Sequence, residues 1–128
     1  MLLLDTCTLV WLDSDPGSLS ARARQEISNS TAGLFVSAVS ALELAIKIRK
    51  GKLTLSMPLE RWFPGVLAAH GVSEVLIDWR IAAATGALPL VHNDPFDRLI
   101  ISTAKLQNYS IITPDPLIHA YPDVRAVW

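Results

Sequence analysis

Short apolar runs that stop abruptly at polar residues place the strongest constraint on this chain. Leu2-Leu3-Leu4 halts at Asp5-Thr6, and Leu34-Phe35-Val36, Val75-Leu76-Ile77 and Ser110-Ile111-Ile112-Thr113 are runs of the same kind. A fifth, Val124-Arg125-Ala126-Val127-Trp128, closes the sequence. Segments this short and this apolar read as strands covered on both faces, because a strand with one wet face would alternate.

Helical patterns fill the intervals. After Val36, with Ser37 or Ser40 as cap, Val39, Leu42, Ala45 and Ile46 recur at helical spacing; Lys47, Arg49 and Lys50 then crowd the last turn before Gly51. From Pro58 the residues Leu59, Trp62, Phe63, Val66 and Leu67 predict a second helix, which Pro64-Gly65 should kink or split and Gly71 should end. Asp78 can cap a helix through Thr85, and Asp94-Pro95 opens one whose stripe is Phe96, Leu99, Ile100, Thr103 and Ala104. Strands alternating with helices predict an α/β fold: a parallel sheet of about five strands, helices on both faces, right-handed crossovers. The 128 residues suit one domain spanning 1–128, and no repeat or linker interrupts them.

Met1 is followed by no basic residue before Asp5, so neither a signal peptide nor a membrane anchor is expected. No apolar run approaches the ~18 residues a spanning helix needs. The single cysteine, Cys7, cannot close an internal disulfide and fits a reducing, cytoplasmic setting, where it reads as a small buried residue. Apolar residues are somewhat more frequent than in an ordinary domain, which leaves apolar surface for a partner.

In a parallel α/β sheet, ligands bind at the carboxyl ends of the strands. Asp5 ends the first strand, and Asp115 lies two residues beyond the strand closing at Thr113. Asp97 sits in the first turn of the helix opened by Asp94-Pro95, and helices of this architecture start on that same edge. Glu43 lies about two turns into the helix after the second strand, between inward-facing Val39 and Ile46. Each acid also has a purely local reading: Asp115 before Pro116 as a turn, Asp94 and Asp97 as N-cap and N3 residues, Ser40 with Glu43 as a capping box. Asp94 is read as a cap. Carboxylates converging from separate segments repel one another and resist burial, so four together point to a cation between them.

Oxygen-only ligands select hard cations such as Mg²⁺ or Mn²⁺, and no Cys/His set is spaced for zinc. His70, His92 and His119 stand alone in the sequence and read as surface or core histidines. Acids holding such cations can activate water against a phosphorus and stabilise the leaving oxygen, which is phosphodiester hydrolysis. The net charge of −1 does not oppose a nucleic-acid substrate, since setting the four acids aside leaves eight acids against eleven bases. Thr6 and Thr113, beside two of the acids, are placed to orient ligand carboxylates, or simply to end strands. Lys47, Arg49, Lys50, Lys52 and Arg61 offer a strip for RNA phosphates; for the first three, favourable charge at a helix C-terminus is an equal explanation.

Leu-Leu-Asp-Thr at the start, Val-Ser-Ala-Val-Ser-Ala-Leu-Glu-Leu-Ala-Ile-Lys with Gly-Lys-Leu after it, His-Asn-Asp-Pro-Phe-Asp-Arg-Leu-Ile-Ile, and Ile-Thr-Pro-Asp near the end resemble the PIN-domain family. Within it the chain looks most like the VapC-type toxins of type II toxin–antitoxin pairs. The resemblance runs from Leu2 to Trp128 and implies a three-layer α/β/α fold. It implies Mg²⁺ or Mn²⁺ dependence and single-strand endoribonuclease activity leaving a 5′-phosphate and a 3′-hydroxyl. By motif the acidic positions are Asp5, Glu43, Asp97 and Asp115; Asp94 is acidic in the same block and is a possible additional member. Cys7 stands where relatives of this subgroup often have His.

Three other readings share the fold class. A receiver domain wants an acidic pair after its first strand, and a haloacid-dehalogenase-type phosphatase wants an Asp at the position of Cys7; both lack their motif here. An RNA-processing PIN nuclease without an antitoxin shares every acid. A toxin needs something to cover its open acidic groove, so a homodimer and an antitoxin bringing Arg or Lys towards Asp5 and Asp97 are expected. Trp62, Phe63, Ile46 and Ile48 are candidates for that contact, with burial of Trp62 and Phe63 in the chain's own core as the alternative.

Overall fold

A computed structural model describes Met1–Trp128. Five strands, β1 (Leu2–Leu4), β2 (Leu34–Ser37), β3 (Val72–Val75), β4 (Ser110–Ile112) and β5 (Ala126–Val127), pair in the order β3-β2-β1-β4-β5, every pair parallel. Seven helices accompany them: α1 (Thr6–Ser14), α2 (Ala21–Ser28), α3 (Val39–Arg49), α4 (Leu59–His70), α5 (Trp79–Gly86), α6 (Pro95–Gln107) and α7 (Pro116–His119). The chain builds outward from β1 to β3, then returns to place β4 on the other side of β1. The order therefore reverses between β1 and β4, and in sheets of this kind ligands bind at the strands' carboxyl ends beside such a reversal.

Successive side chains of a strand point to opposite faces, and β1 shows the two layers directly. Leu2 and Leu4 pack with Leu9 of α1, Ala23 of α2, and Trp62, Phe63 and Val66 of α4. Leu3 faces the other way, onto Ile100, Ile101 and Ala104 of α6 and Ile118 of α7. Helix α3 serves both sides, with Val39 in the second cluster and Leu44 in the first. No helix is long and apolar enough to cross a membrane.

Several local expectations change. The third strand lies over Val72–Val75, not over Val75-Leu76-Ile77, and Leu76 is 70% exposed. As the edge of the sheet it turns Ser73 and Glu74 to solvent, so its pattern is not the continuous apolar run of a covered strand. The last strand shrinks to Ala126–Val127. Helices α1 and α2 answer to no pattern noted in the sequence. Helix α4 runs unbroken through Pro64, whose missing N–H frees only the carbonyl of exposed Glu60. Trp62 and Phe63 are core residues, and Leu42, placed on the inward stripe of α3, is exposed. Helix α3 does stop as expected: Gly51 adopts φ 70°, and Lys52 N–H closes back on the Lys47 carbonyl.

Candidate active site

Asp5 follows β1 and Asp115 lies just past β4, at the carboxyl ends of the two neighbouring strands where the order reverses. Asp5 caps α1, its Oδ1 accepting from Thr8 N at 2.9 Å and from Cys7 Sγ at 3.2 Å, which leaves Oδ2 uncommitted. Asp115 caps α7 in the same way, with Oδ1 accepting from Leu117 N at 2.9 Å. Asp94 caps α6 through Phe96 N at 2.8 Å, so its cap reading holds, and Asp97 occupies the N3 position of that helix. Three helices thus start at this edge, and their positive ends favour the carboxylates gathered there.

Glu43 is not part of a capping box. The N-cap of α3 is Ala38, and Ser40 is buried with its Oγ accepting from Thr6 Oγ1 at 2.9 Å. Glu43 Oε1 lies 3.4 Å from Lys47 Nζ, while Oε2 is buried with no hydrogen-bond partner. A bare carboxylate oxygen out of water is costly. The expected carboxylate-orienting roles of the two threonines are not seen: the Thr6 hydroxyl is spent on Ser40, and Thr113 Oγ1 instead accepts from the backbone N–H of Asp115 at 3.1 Å.

His92, read from sequence as a structural histidine, lies inside the acidic group. Its ring is buried, with Nε2 2.7 Å from Asp115 Oδ2 and 3.1 Å from Asp97 Oδ2. No ligand-type spacing to a second histidine or cysteine marks it; the one available signal was its place five residues before Asp97, on the loop that Arg98 gathers. The buried Arg98 guanidinium donates to the carbonyls of Thr85, Leu88, Pro89 and His92, and so fixes the segment that delivers the imidazole. His70 and His119 match expectation, the first 3.3 Å from Asp13 Oδ1 and the second 2.8 Å from the Thr113 carbonyl.

The electrostatics tie the acids together. The Asp97 carboxyl is pushed up to about 7, first by burial and then by the negative charges of Asp94, Glu43 and Asp5, with His92 acting in the opposite sense. Asp97 therefore senses three other acids directly and reaches Asp115 through His92. Cys7 is half-buried rather than buried, and its thiol is pushed well above its usual range by burial and by Asp5, which removes it as a nucleophile near neutrality.

A family model for the PIN domain matches residues 2–123. Over 130 residues the chain is 35% identical to Ribonuclease VapC22 of Mycobacterium tuberculosis, spanning 99% of this chain and 98% of that one. The chain belongs to the PIN-domain family. Its fold is that of a DNA-bound VapBC from Salmonella typhimurium, with TM-score 0.69 and 18% identity over 98% of this chain and 96% of that one. A toxin–antitoxin complex from Klebsiella pneumoniae gives TM-score 0.66 and 20% identity over 100% and 97%. Family membership removes the receiver and phosphatase readings.

The residues of this PIN domain fit a divalent cation. The donor set is carboxylate oxygen, Glu43 Oε2 lacks any protein partner, and Asp97 is held in a field of negative charge that a cation would relieve. Beside the acids a hollow of about 160 Å³ is lined by Glu43, Ile46, Lys47, Lys50, Lys52, Asp94 and Phe96. Lys47, Lys50 and Lys52 thus border the site, whereas Arg49 and Arg61 are exposed and do not line the hollow. The largest hollow, about 580 Å³, lies away from the acids and is mainly apolar, with Ala45, Ile48, Leu53, Leu55, Met57 and Leu59 in its walls.

Proposed function

We infer that this chain is a metal-dependent endoribonuclease that hydrolyses phosphodiester bonds of single-stranded RNA and acts as the toxin of a toxin–antitoxin pair. One observation supports the chemistry most: Asp97 feels the negative charges of Glu43 and Asp5 and shares His92 Nε2 with Asp115, and a Glu43 oxygen is buried without a partner. The likeness to Ribonuclease VapC22 supports RNA as the substrate, and the folds of VapBC and other toxin–antitoxin complexes support the pairing. Mg²⁺ or Mn²⁺ suits the oxygen donors.

Asp5, Glu43, Asp97 and Asp115 would hold the cation, which supplies charge stabilisation at phosphorus and a water that ionises near neutral pH. The chain's own groups do the rest. Lys47, Lys50 and Lys52 bind the phosphates flanking the scissile bond, and the helix caps of Asp5 and Asp115 with the His92 contacts to Asp97 and Asp115 hold the acids in place. Control comes from association: the apolar groove along Ile48, Leu53, Leu55 and Met57 takes the apolar anchors of an antitoxin segment whose Arg or Lys reaches the acids. Exposed Leu42, Leu76, Trp79 and Leu90 provide apolar area for a homodimer.

The test is cleavage of single-stranded RNA with Mg²⁺ or Mn²⁺ by Asp5→Asn, Glu43→Gln, Asp97→Asn and Asp115→Asn. Each is expected to lose more than about 100-fold in rate, beyond what outer-shell changes cost. Full activity in any two would sink the assignment. Growth arrest by the wild type, relieved by co-expressing the neighbouring small reading frame, separates a toxin from an RNA-processing nuclease.

A further inference from the structure

The three ligand-type atoms of His92, Asp97 and Asp115 lie within 4.8 Å of one another, which invites reading the histidine as a metal ligand. Its other nitrogen argues against that. Nδ1 accepts the backbone N–H of Asp94 at 3.1 Å, so the lone pair there is in use and the ring hydrogen belongs on Nε2. A nitrogen bearing hydrogen has no in-plane lone pair to give a cation. Moving the hydrogen to Nδ1 would set two N–H groups against each other at the start of α6.

We propose that His92 is a positioning residue whose Nε2–H holds one oxygen of Asp97 and one of Asp115, turning the remaining lone pairs of both carboxylates towards the cation without joining its ligand shell. The inference rests on the metal-site reading above. The mounting of the ring fits a fixed donor. The His92 backbone N–H donates to Tyr121 Oη at 3.1 Å, and its carbonyl accepts from Arg98 Nη1 at 3.2 Å. Tyr121 Oη in turn donates to the Pro89 carbonyl at 2.8 Å. Backbone on both sides of the ring and one ring nitrogen are therefore pinned, and only Nε2 faces the acids. The same bond serves the cation-free protein, where it joins two carboxylates that would otherwise repel.

Pulsed electron paramagnetic resonance on the full chain loaded with Mn²⁺ reads the ligand shell directly. The expected wild-type spectrum has no coupling from a directly bonded nitrogen. Mn²⁺ affinity should fall roughly tenfold to a hundredfold in His92→Ala and recover in His92→Gln, whose amide can donate from about the place of Nε2. A directly bonded nitrogen signal that vanishes in His92→Ala would overturn the positioning role while leaving the metal site standing. So would equal Mn²⁺ affinity in wild type and His92→Ala. A wild type that takes up no Mn²⁺ would overturn the metal-site reading itself, and the positioning role with it. Should His92→Ala not fold, the wild-type spectrum and the His92→Gln affinity decide the question.

Discussion

Replacing Asp97 by Asn tests whether the acids are gathered for a cation or for the fold. The Asp97 carboxyl releases its proton at about 7 in the folded chain, against 3.8 ordinarily, because it is buried among Asp94, Glu43 and Asp5. An unfolded chain therefore loses this proton above pH 4 while the fold keeps it to about pH 7, so stability falls as pH rises through that window and stays reduced above it. At 1.36 kcal/mol per pH interval the ceiling is about 4 kcal/mol. The side chain is 18% exposed, and solvent with local relaxation brings this to roughly 2 kcal/mol. Negative charge in the first turn of α6 gives back about 0.3–1 kcal/mol. Asp97→Asn should then melt roughly 5 °C above wild type at pH 8 in chelator, and by roughly a third of that margin at pH 5. Mn²⁺ at 100 times its Kd should raise the wild type by about 2.7 kcal/mol and the variant by less, reversing the order. The assay is thermal melting at both pH values with and without Mn²⁺. An Asn variant that melts below wild type in chelator at pH 8 would refute the reasoning and make Asp97 a structural N3 residue.

Asp94→Asn should keep cleavage within a few-fold and stability within about 0.5 kcal/mol, because Asn caps as well as Asp, while Asp94→Ala should cost about 1 kcal/mol in urea unfolding. Arg98→Leu strands the carbonyls of Thr85, Leu88, Pro89 and His92 and should cost about 3 kcal/mol by the same measure. Arg98→Lys should recover little of it, since one ammonium cannot span the four oxygens. Lys50→Ala with Lys52→Ala, in the cleavage-deficient Asp5→Asn background, should weaken single-stranded RNA binding and flatten its log–log salt dependence by about 1.4. An unchanged slope would place the RNA elsewhere.

The sheet was legible where strands are covered. Leu2–Leu4, Leu34–Ser37 and Ser110–Ile112 lie in the middle of the sheet, and burial on both faces leaves the unbroken apolar run that sequence reveals. At the edge that signal fails: Val72-Ser73-Glu74-Val75 pairs with β2 although Val75-Leu76-Ile77 is the more apolar window. Helix α1 was hidden because it begins immediately after β1, at the very residue that looked like a strand end. Its Thr, Val and Trp residues lend it no helical signature, and the Asp5 cap carries the start. Helix α2 shows mainly polar, exposed residues, and Ala23 alone is buried.

In the site, the competing readings of the acids turn out to describe the same residues. Asp5, Asp94 and Asp115 are N-caps and Asp97 is an N3 residue, yet the helices they begin all start at one edge of the sheet. Capping thus supplies what a cation site otherwise lacks before its metal arrives, namely positive helix ends and backbone N–H donors that let carboxylates sit together. Glu43 stands outside this arrangement: it lies mid-helix on α3, its Oε1 is paired with Lys47, and its Oε2 is bare. Local caps thus account for Asp5, Asp94 and Asp115, and for the place of Asp97, without any ligand. Glu43, which no cap explains, is the acid whose burial local structure leaves without a reason, and its unsatisfied oxygen is why the proposed cation site is drawn to include it.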